Sequence, residues 1–170
     1  MILNLKDISV KEGSSLPFEY ALDLSDIAVF GEKPFINPFE IRGKVYNRAG
    51  VLELSAVASS EASFKCARCA KVFSKEVEVP IFHILTNSSE NQSDDNDYLE
   101  IKDFSLDLDS VVFDEVVLAS DMVHLCKEDC KGLCSKCGKD LNEGSCDCSH
   151  KEIDPRLAPL QKLLDNKNYQ

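Results

Sequence analysis

The sequence predicts an α+β fold, in which an antiparallel β-rich domain of hairpins carries a packed helix and precedes a cysteine-rich lobe with a short C-terminal helix. Three observations support this fold class. Apolar and polar residues alternate through much of residues 1–86, as half-buried strands require. Residues 109–119 instead repeat their apolar side chains at helical spacing, and six of the eight cysteines fall between 126 and 148. We therefore expect two domains, at 1–120 and 121–170.

The first part of the chain is predicted to form pairs of strands. The alternation favours early strands at about 2–10 and 17–24, and a connector containing Gly and Pro follows at 31–38. Two further strands, 41–46 and 51–57, flank a loop that contains glycine, which is typical of a hairpin. A last pair of strands is expected at 62–66 and 72–79. Its tip carries the motif Cys66-Ala-Arg-Cys69.

The rest of the first domain is predicted to combine an acidic loop with a helix. Residues 87–97 are polar, acidic and free of aliphatic side chains, which indicates a loop, and 99–108 return to an extended pattern. A helix is expected at 109–119, with Asp109 or Ser110 as its cap. Its β-branched residues lower its helix propensity, so packing on the sheet must hold it. The side that packs is expected to comprise Val112, Phe113, Val116 and Val117.

A short helix is expected near the end of the chain. Asp154 can cap this helix, and Pro155 suits its first position because the missing N–H is not needed there. Leu157, Leu160 and Leu164 recur at helical spacing and form its apolar stripe.

Four of the clustered cysteines have the spacing of a metal site. Cys134 and Cys137 are separated by two residues, and Gly138 follows where a tight turn needs positive φ. Cys146 and Cys148 lie beyond a second turn, so the four thiols can meet around one tetrahedral zinc ion. We name these four the local site.

The other four cysteines form two widely separated pairs. Cys66 and Cys69 lie about 57 residues before Cys126 and Cys130, so a site built from them would span the fold. The sequence thus predicts two four-thiol zinc sites, the local site and this fold-spanning site. Disulfides, an iron–sulfur cluster and unligated thiols are the alternatives for the same residues.

We expect a cytoplasmic protein from the composition and from the absence of targeting patterns. The 170 residues, 44% of them apolar, suffice for one core with an appendage. The first residues lack the pattern of a secretory signal, and no stretch is long and apolar enough for a membrane span. Because the cytoplasm is reducing, eight disulfide thiols would be unusual there, which favours zinc.

Charge is distributed unevenly along the chain. The formal net charge is −11, yet residues 42–75 hold seven cations against two acids. These cations are candidates for binding nucleic acid, with Tyr46 and Phe73 available for stacking, or they form an ordinary solvated face. The candidate residues are Arg42, Lys44, Arg48, Lys65, Arg68, Lys71 and Lys75.

Residues 90–128 hold twelve acids against two lysines, so this region is strongly acidic. It repels nucleic acid and is suited to a basic protein partner, for which Asp114 and Glu115 on the predicted helix are the candidates. A solvated linker is the alternative interpretation, chiefly for 87–97.

Several motifs together resemble the YceD-like family, the large ribosomal RNA subunit accumulation proteins. They are Cys66-x-Arg-Cys69 with a following aromatic residue, the acidic helix, the run from Cys126 to Cys148, and Asp154-Pro-Arg-Leu-Ala-Pro-Leu160. The resemblance covers nearly the whole chain and is most specific in its C-terminal half. It implies a bacterial cytoplasmic factor needed for accumulation of large-subunit ribosomal RNA, and it implies no catalytic activity.

Two classes of function follow. The first is a non-enzymatic factor in ribosome biogenesis that binds ribosomal RNA or a basic ribosomal protein on a zinc-stabilised scaffold. The alternative is a thiol- or metal-dependent enzyme with a redox C-x2-C motif. A redox C-x2-C usually opens a helix, whereas this one is expected at a hairpin tip, and four-thiolate zinc sites leave no open position for a substrate. We therefore expect no enzyme and no catalytic residues; His124 is either a replacement ligand or a supporting residue beside a metal site.

Overall fold

The computed structural model describes residues 1–86 and 98–148. The first half of the chain contains a short helix and most of the strands: β1 (Ile2–Asn4), α1 (Lys6–Val10), β2 (Ser15–Leu22), β3 (Phe39–Arg48) and β4 (Val51–Lys65). The remaining elements are β5 (Val72–Thr86), β6 (Tyr98–Glu100), β7 (Ser105–Asp107) and α2 (Leu108–Leu118).

One five-stranded sheet dominates this fold, with the strand order β2-β3-β4-β5-β6. Neighbouring strands are antiparallel except β5 and β6, which are parallel, and β1 and β7 form a separate two-stranded antiparallel sheet. The α+β class is therefore confirmed, and the predicted antiparallel pairing holds for every neighbouring pair of the sheet except β5–β6. A parallel pair cannot be joined by a tight turn, so no hairpin signal marks it in the sequence.

The strands β4 and β5 form one long hairpin. Each is 15 residues long, and their register pairs Leu52 with Leu85 at the open end and Lys65 with Val72 at the tip. The strands predicted at 51–57 and 62–66 are thus a single strand. The motif beginning at Cys66 lies in the turn between β4 and β5, as the sequence predicted.

Strict alternation gives the sheet one buried face. Ile41, Val45, Leu54 and Ala58 are completely buried, and the residues directly before and after each of them point to the opposite face, which we call the outer face. Gly43 opposes Ala56 on the buried face, where an added Cβ would lie only 2.5 Å from the Ala56 Cβ. The close approach of β3 and β4 therefore requires glycine at this position.

Residues 6–10 form helix α1, so the strand predicted over 2–10 is wrong beyond Asn4. Leu5 and Ile8 are both buried three residues apart, which is helical spacing that the loose alternation concealed. A side chain distant in sequence holds this helix. The fully buried Asn47 donates from Nδ2 to the carbonyls of Ile8 (2.6 Å) and Ser9 (3.1 Å).

Helix α2 begins one residue earlier than predicted. Its cap is Asp107, whose carboxylate accepts from the backbone N–H of Asp109, rather than Asp109 or Ser110. The shifted start changes the buried face, since Phe113 and Val117 are only half-buried. The residues that α2 buries are Leu108, Val111, Val112 and Val116.

The described chain divides into two compact units. Unit 1 comprises Met1–Ala67 and Lys71–Cys126, and contains all the helices and strands given above. Unit 2 comprises Arg68–Ala70 together with the residues from Lys127 onward. Within unit 2, Leu133 and Asp140 form a β-bridge, and the Cys134 N–H donates to the Lys139 carbonyl at 2.8 Å. The division predicted at residue 120 stays a prediction.

Two expected elements, the acidic loop at 87–97 and the C-terminal helix, lie outside the described residues. Within 1–86 and 98–148, no helix has both the length and the apolar character that crossing a membrane requires.

Candidate functional site: two cysteine groups and an exposed sheet face

Cys134, Cys137, Cys146 and Cys148 form a compact thiol group in unit 2. Their Sγ atoms all lie within 4.8 Å of one another. A tight turn brings the first two together, because the Gly138 N–H donates to the Cys134 carbonyl at 2.8 Å and Gly138 has a φ of +73°. The sequence marks this turn through its glycine, which is the residue that adopts positive φ without strain.

The thiols of this group differ in acidity. Hydrogen bonds from the backbone N–H groups of Cys137 and Lys136 lower the pKa of Cys134 to about 6, since they stabilise its thiolate. A hydrogen bond with Cys137 raises the pKa of Cys148 to about 12. Four thiolates so close together repel one another, so all four can ionise together only when a cation neutralises them.

A second group consists of Cys66, Cys69, Cys126 and Cys130, whose Sγ atoms also lie within 4.8 Å of one another. Three of them are buried and Cys126 is half-buried. The hairpin tip is closed by the Cys66 N–H, which donates to the Lys71 carbonyl at 2.9 Å. The thiols of the described residues thus form two groups of four, and the assignment of these groups as ligand sets stays a prediction.

Both groups could hold a metal ion. Around a tetrahedral zinc ion with Zn–S bonds of about 2.3 Å, the sulfur atoms lie about 3.8 Å apart. Sulfur atoms that are all within 4.8 Å of one another therefore need only a small contraction to bind such an ion. The identity of the metal and its ligation stay predictions at this point.

Arg68 supports the loops of unit 2. Its guanidinium Nη1 donates to the carbonyls of Glu128 (3.2 Å) and Cys130 (2.9 Å), and its own carbonyl accepts from the Leu133 N–H at 3.1 Å. Sequence reasoning placed Arg68 only among the nucleic-acid candidates. In the structure its guanidinium is engaged by the backbone around Cys130.

Two further polar residues stand beside the cysteines. Asn142 donates from Nδ2 to Cys130 Sγ at 3.5 Å and accepts from the Lys131 N–H at 2.9 Å, a role for which the sequence carried no signal. The His124 ring stacks on Phe64 at a centroid distance of 3.7 Å, and its carbonyl accepts from the Ala67 N–H. His124 is absent from both sulfur groups, which favours its interpretation as a supporting residue.

The seven candidate cations do not form one patch. Arg42, Lys44 and Arg48 project from β3 on the outer face, whereas Lys65 ends β4 at the hairpin tip. Lys44 pairs with Ser55 on β4, and Lys65 lies ten residues further along the same strand. In an extended strand this separation is about 33 Å. Lys71 and Lys75 lie at the tip end with Lys65, so the cations form two separate clusters.

The exposed aromatic residues differ from those expected. Phe73 packs against Phe64 at a centroid distance of 6.2 Å and is half-buried, so its expected role in stacking on nucleic acid is not supported. Phe82 is instead 52% exposed on the outer face of β5. Tyr46, the other expected residue, lies on the outer face and is half-buried.

Ion pairs occupy some of the cations of β3. Arg42 contacts the carboxylates of Glu19 (2.9 Å) and Glu40 (3.2 Å), and Arg48 lies 3.8 Å from Glu53. Within residues 1–86 and 98–148, Lys44 takes part in no ion pair. The cations most available to a partner at this end of the sheet are therefore Lys44 and, next, Arg48, whose contact with Glu53 is longer than the two contacts of Arg42.

The two acidic candidates on α2 have different surroundings. Asp114 is exposed, whereas a Glu115 carboxylate oxygen lies 2.9 Å from Nε2 of His83 on β5. Because the His83 side chain is only 12% exposed, this contact attaches the helix to the sheet. Glu115 thus has a structural role that the sequence did not indicate.

We expect Glu115→Ala to lower the free energy of unfolding by about 1–2 kcal/mol, because it leaves a largely buried imidazole nitrogen without its partner. Asp114→Ala is the matched control, and its effect should stay within about 0.5 kcal/mol. Urea unfolding measures both variants. Equal effects of the two substitutions would contradict a structural role for Glu115.

Two four-thiol groups and a large open sheet with one exposed face define a cysteine-rich β protein with candidate structural metal sites. Over residues 54–164 the chain matches the family described as large ribosomal RNA subunit accumulation protein YceD, and it belongs to that family. The matched segment contains all eight cysteines. The resemblance seen in the sequence is thereby confirmed.

Relatives with curated sequences occur in bacteria and in a plant. An uncharacterized protein of Mycobacterium tuberculosis is 29% identical over 118 residues, which cover 68% of this chain and 56% of that protein. The Arabidopsis thaliana protein named large ribosomal RNA subunit accumulation protein YCED homolog 1, chloroplastic, is 25% identical over 188 residues, covering 94% of this chain and 57% of its own length. The uncharacterized protein YlbN of Bacillus subtilis is 24% identical over 152 residues, or 88% of each chain.

This chain therefore spans little more than half the length of the mycobacterial and Arabidopsis relatives. No solved structure matches it.

Proposed function

We propose that this protein is a non-enzymatic factor for the accumulation of large-subunit ribosomal RNA, and that it binds ribosomal RNA or a basic ribosomal protein on a scaffold held by two zinc ions. The observation that carries this proposal is the family match over 54–164, which includes both cysteine groups. The name of the Arabidopsis relative describes the same role.

Zinc suits the donor set of both groups. Each group offers four thiols, and tetrahedral four-thiolate ligation is typical of structural zinc. Zinc would neutralise thiols that otherwise resist ionising together. We place the protein in the cytoplasm, which is reducing. Zinc therefore suits these thiols better than disulfides do.

A scaffold role is better supported than thiol chemistry. The C-x2-C motif lies in a hairpin turn and not at the start of a helix, and each of its cysteines belongs to a group of four. A closed four-thiolate site has no open position at which a substrate could be activated. The thiol- or metal-dependent enzyme that the sequence left as an alternative therefore has no supporting geometry among the described residues.

The partner can be sought on two surfaces of unit 1. The outer face near Lys44 offers cations to RNA, whereas the exposed carboxylates of α2 and its surroundings suit a basic protein. The formal net charge of −11 does not prevent RNA binding at a local patch, because charges are screened beyond about 8 Å at physiological salt.

Removing the gene from its host tests the proposal. We expect the amount of large-subunit ribosomal RNA to fall relative to small-subunit ribosomal RNA, and a plasmid copy of the wild-type protein to restore it. Copies carrying Cys134→Ser or Cys66→Ser should fail to restore it if the zinc scaffold is required. An unchanged ratio after removal of the gene would reject the proposed function.

A further inference from the structure

The outer face of unit 1 contains a slot between β3 and β5. It has a volume of about 360 Å³, and its lining residues are Lys44, Tyr46, Arg48, Glu53, Ser55 and Phe82. The register of the strands explains the shape of the slot, since Lys44, Ser55 and Phe82 form one row across β3, β4 and β5. The small Ser55 side chain makes the floor between larger neighbours.

Aromatic rings stand on both sides of this slot. Phe82 on β5 lies two strands across and two residues along the sheet from Tyr46 on β3. With the usual strand spacing and rise per residue, their backbones are about 12 Å apart. This separation admits a flat ring between the two side chains. Phe82 is 52% exposed on the outer face, where β5 pairs with β4 through Ser55, so its ring is accessible among the described residues.

The slot is positively charged in an acidic protein. Lys44 and Arg48 contribute two cations, and Glu53 contributes one carboxylate, whereas the whole chain has a formal net charge of −11. Arg48 is 72% exposed on its side chain, and Glu53 below it is only 22% exposed. An approaching partner therefore meets the cations first, with the rings and the Ser55 hydroxyl between them.

We propose that this slot binds unpaired bases of single-stranded RNA, with Tyr46 and Phe82 stacking on the bases and Lys44 and Arg48 contacting the phosphates. This inference rests on the proposed function and names the site and the form of RNA. An exposed Phe82 ring and a half-buried Tyr46 ring on a sheet face with cations match the chemistry of single-stranded nucleic acid, whose bases offer flat faces beside a charged backbone. Duplex RNA stacks those faces internally and cannot use the rings.

The test measures binding of a short single-stranded oligouridylate and of an RNA duplex of equal length. The wild-type protein should bind the single strand more tightly. Tyr46→Thr and Phe82→Val keep β-forming side chains but remove the rings, and each should weaken binding of the single strand about tenfold. Tyr46→Phe keeps the ring and should bind as the wild type does.

Separate variants test the role of the slot's charges, and unfolding measurements test whether each variant is folded. Lys44→Gln and Arg48→Gln should each reduce the slope of log K against log salt by about 0.7. Val57→Thr changes a residue that is 44% exposed on the same face but outside the slot, so it should leave binding unchanged. Thermal unfolding of every variant confirms that the sheet is intact.

Three results would overturn the inference: equal binding by the variants without the rings, equal binding of duplex and single strand, or no binding of RNA by the wild type. The last result would point to a protein partner for the slot. Each of them leaves the proposed function standing if gene removal still lowers large-subunit ribosomal RNA. An unchanged ribosomal RNA ratio in that separate experiment would instead reject the function.

Discussion

Cys134→Ser is expected to lower the zinc content from about two ions per chain to about one and to unfold residues 132–148. Binding free energy at a structural zinc site is folding free energy, with apparent values of about 10–16 kcal/mol in zinc-dependent peptides. Unit 2 has few other means of stabilisation, because its described residues contain a single β-bridge and no helix or strand. Elemental analysis measures the metal, and hydrogen exchange measures the loss of protection.

Two other substitutions complete this experiment. Ser135→Ala changes an exposed residue between Cys134 and Cys137 and should retain about two zinc ions. Cys66→Ser should also lose one ion, but with its loss of protection concentrated around the hairpin tip. A wild-type content near one, with Cys66 and Cys69 rapidly alkylated in the native protein, would leave zinc only at the group of Cys134.

Asn47→Ala is expected to lower the free energy of unfolding by about 3 kcal/mol. The substitution removes two hydrogen bonds to the carbonyls of Ile8 and Ser9 and a third that Asn47 Oδ1 accepts from the Gly50 N–H at 2.9 Å. Each typically contributes about 1 kcal/mol, and the bond to the Ile8 carbonyl is buried, so this carbonyl does not readily regain water. Urea unfolding followed by circular dichroism measures the change.

Asn37→Ala provides the comparison, because Asn37 is exposed and contributes only its backbone carbonyl to Ser60. Its effect should remain within about 0.5 kcal/mol. Similar losses for the two asparagines would show that Asn47 does not hold helix α1 against the hairpin loop.

Local patterns in the sequence predicted most of the sheet. Alternation located β2, β3 and the strands of the long hairpin, since a strand with one buried face must alternate. It could not show that 51–57 and 62–66 belong to one strand. The alternation of apolar and polar residues does not indicate whether a strand continues through the residues between the two segments. Helix α1 was missed because a buried amide distant in sequence stabilises five residues with weak helical character.

The cysteine groups were easier to predict from the sequence than the slot on the outer face. Ligand spacing and Gly138 constrain which thiols can meet, and the remaining four then make the other group. The slot between Tyr46 and Phe82 depends on the register of three strands, which single-strand patterns do not encode. Arg68 likewise looked like a surface cation because its backbone acceptors are contributed by residues sixty positions away.

The edges of the five-stranded sheet are poor templates for aggregation. On one edge, β2 contains Pro17, which has no N–H to offer to an incoming strand, and the charged Glu19 two residues later. On the other edge, β6 pairs only with Ile84–Thr86, and the rest of β5 carries Pro80 together with the exposed charges of Lys75, Glu76 and Glu78. The sheet therefore does not readily extend by adding strands from another chain, even though its outer face carries exposed aromatic and aliphatic side chains.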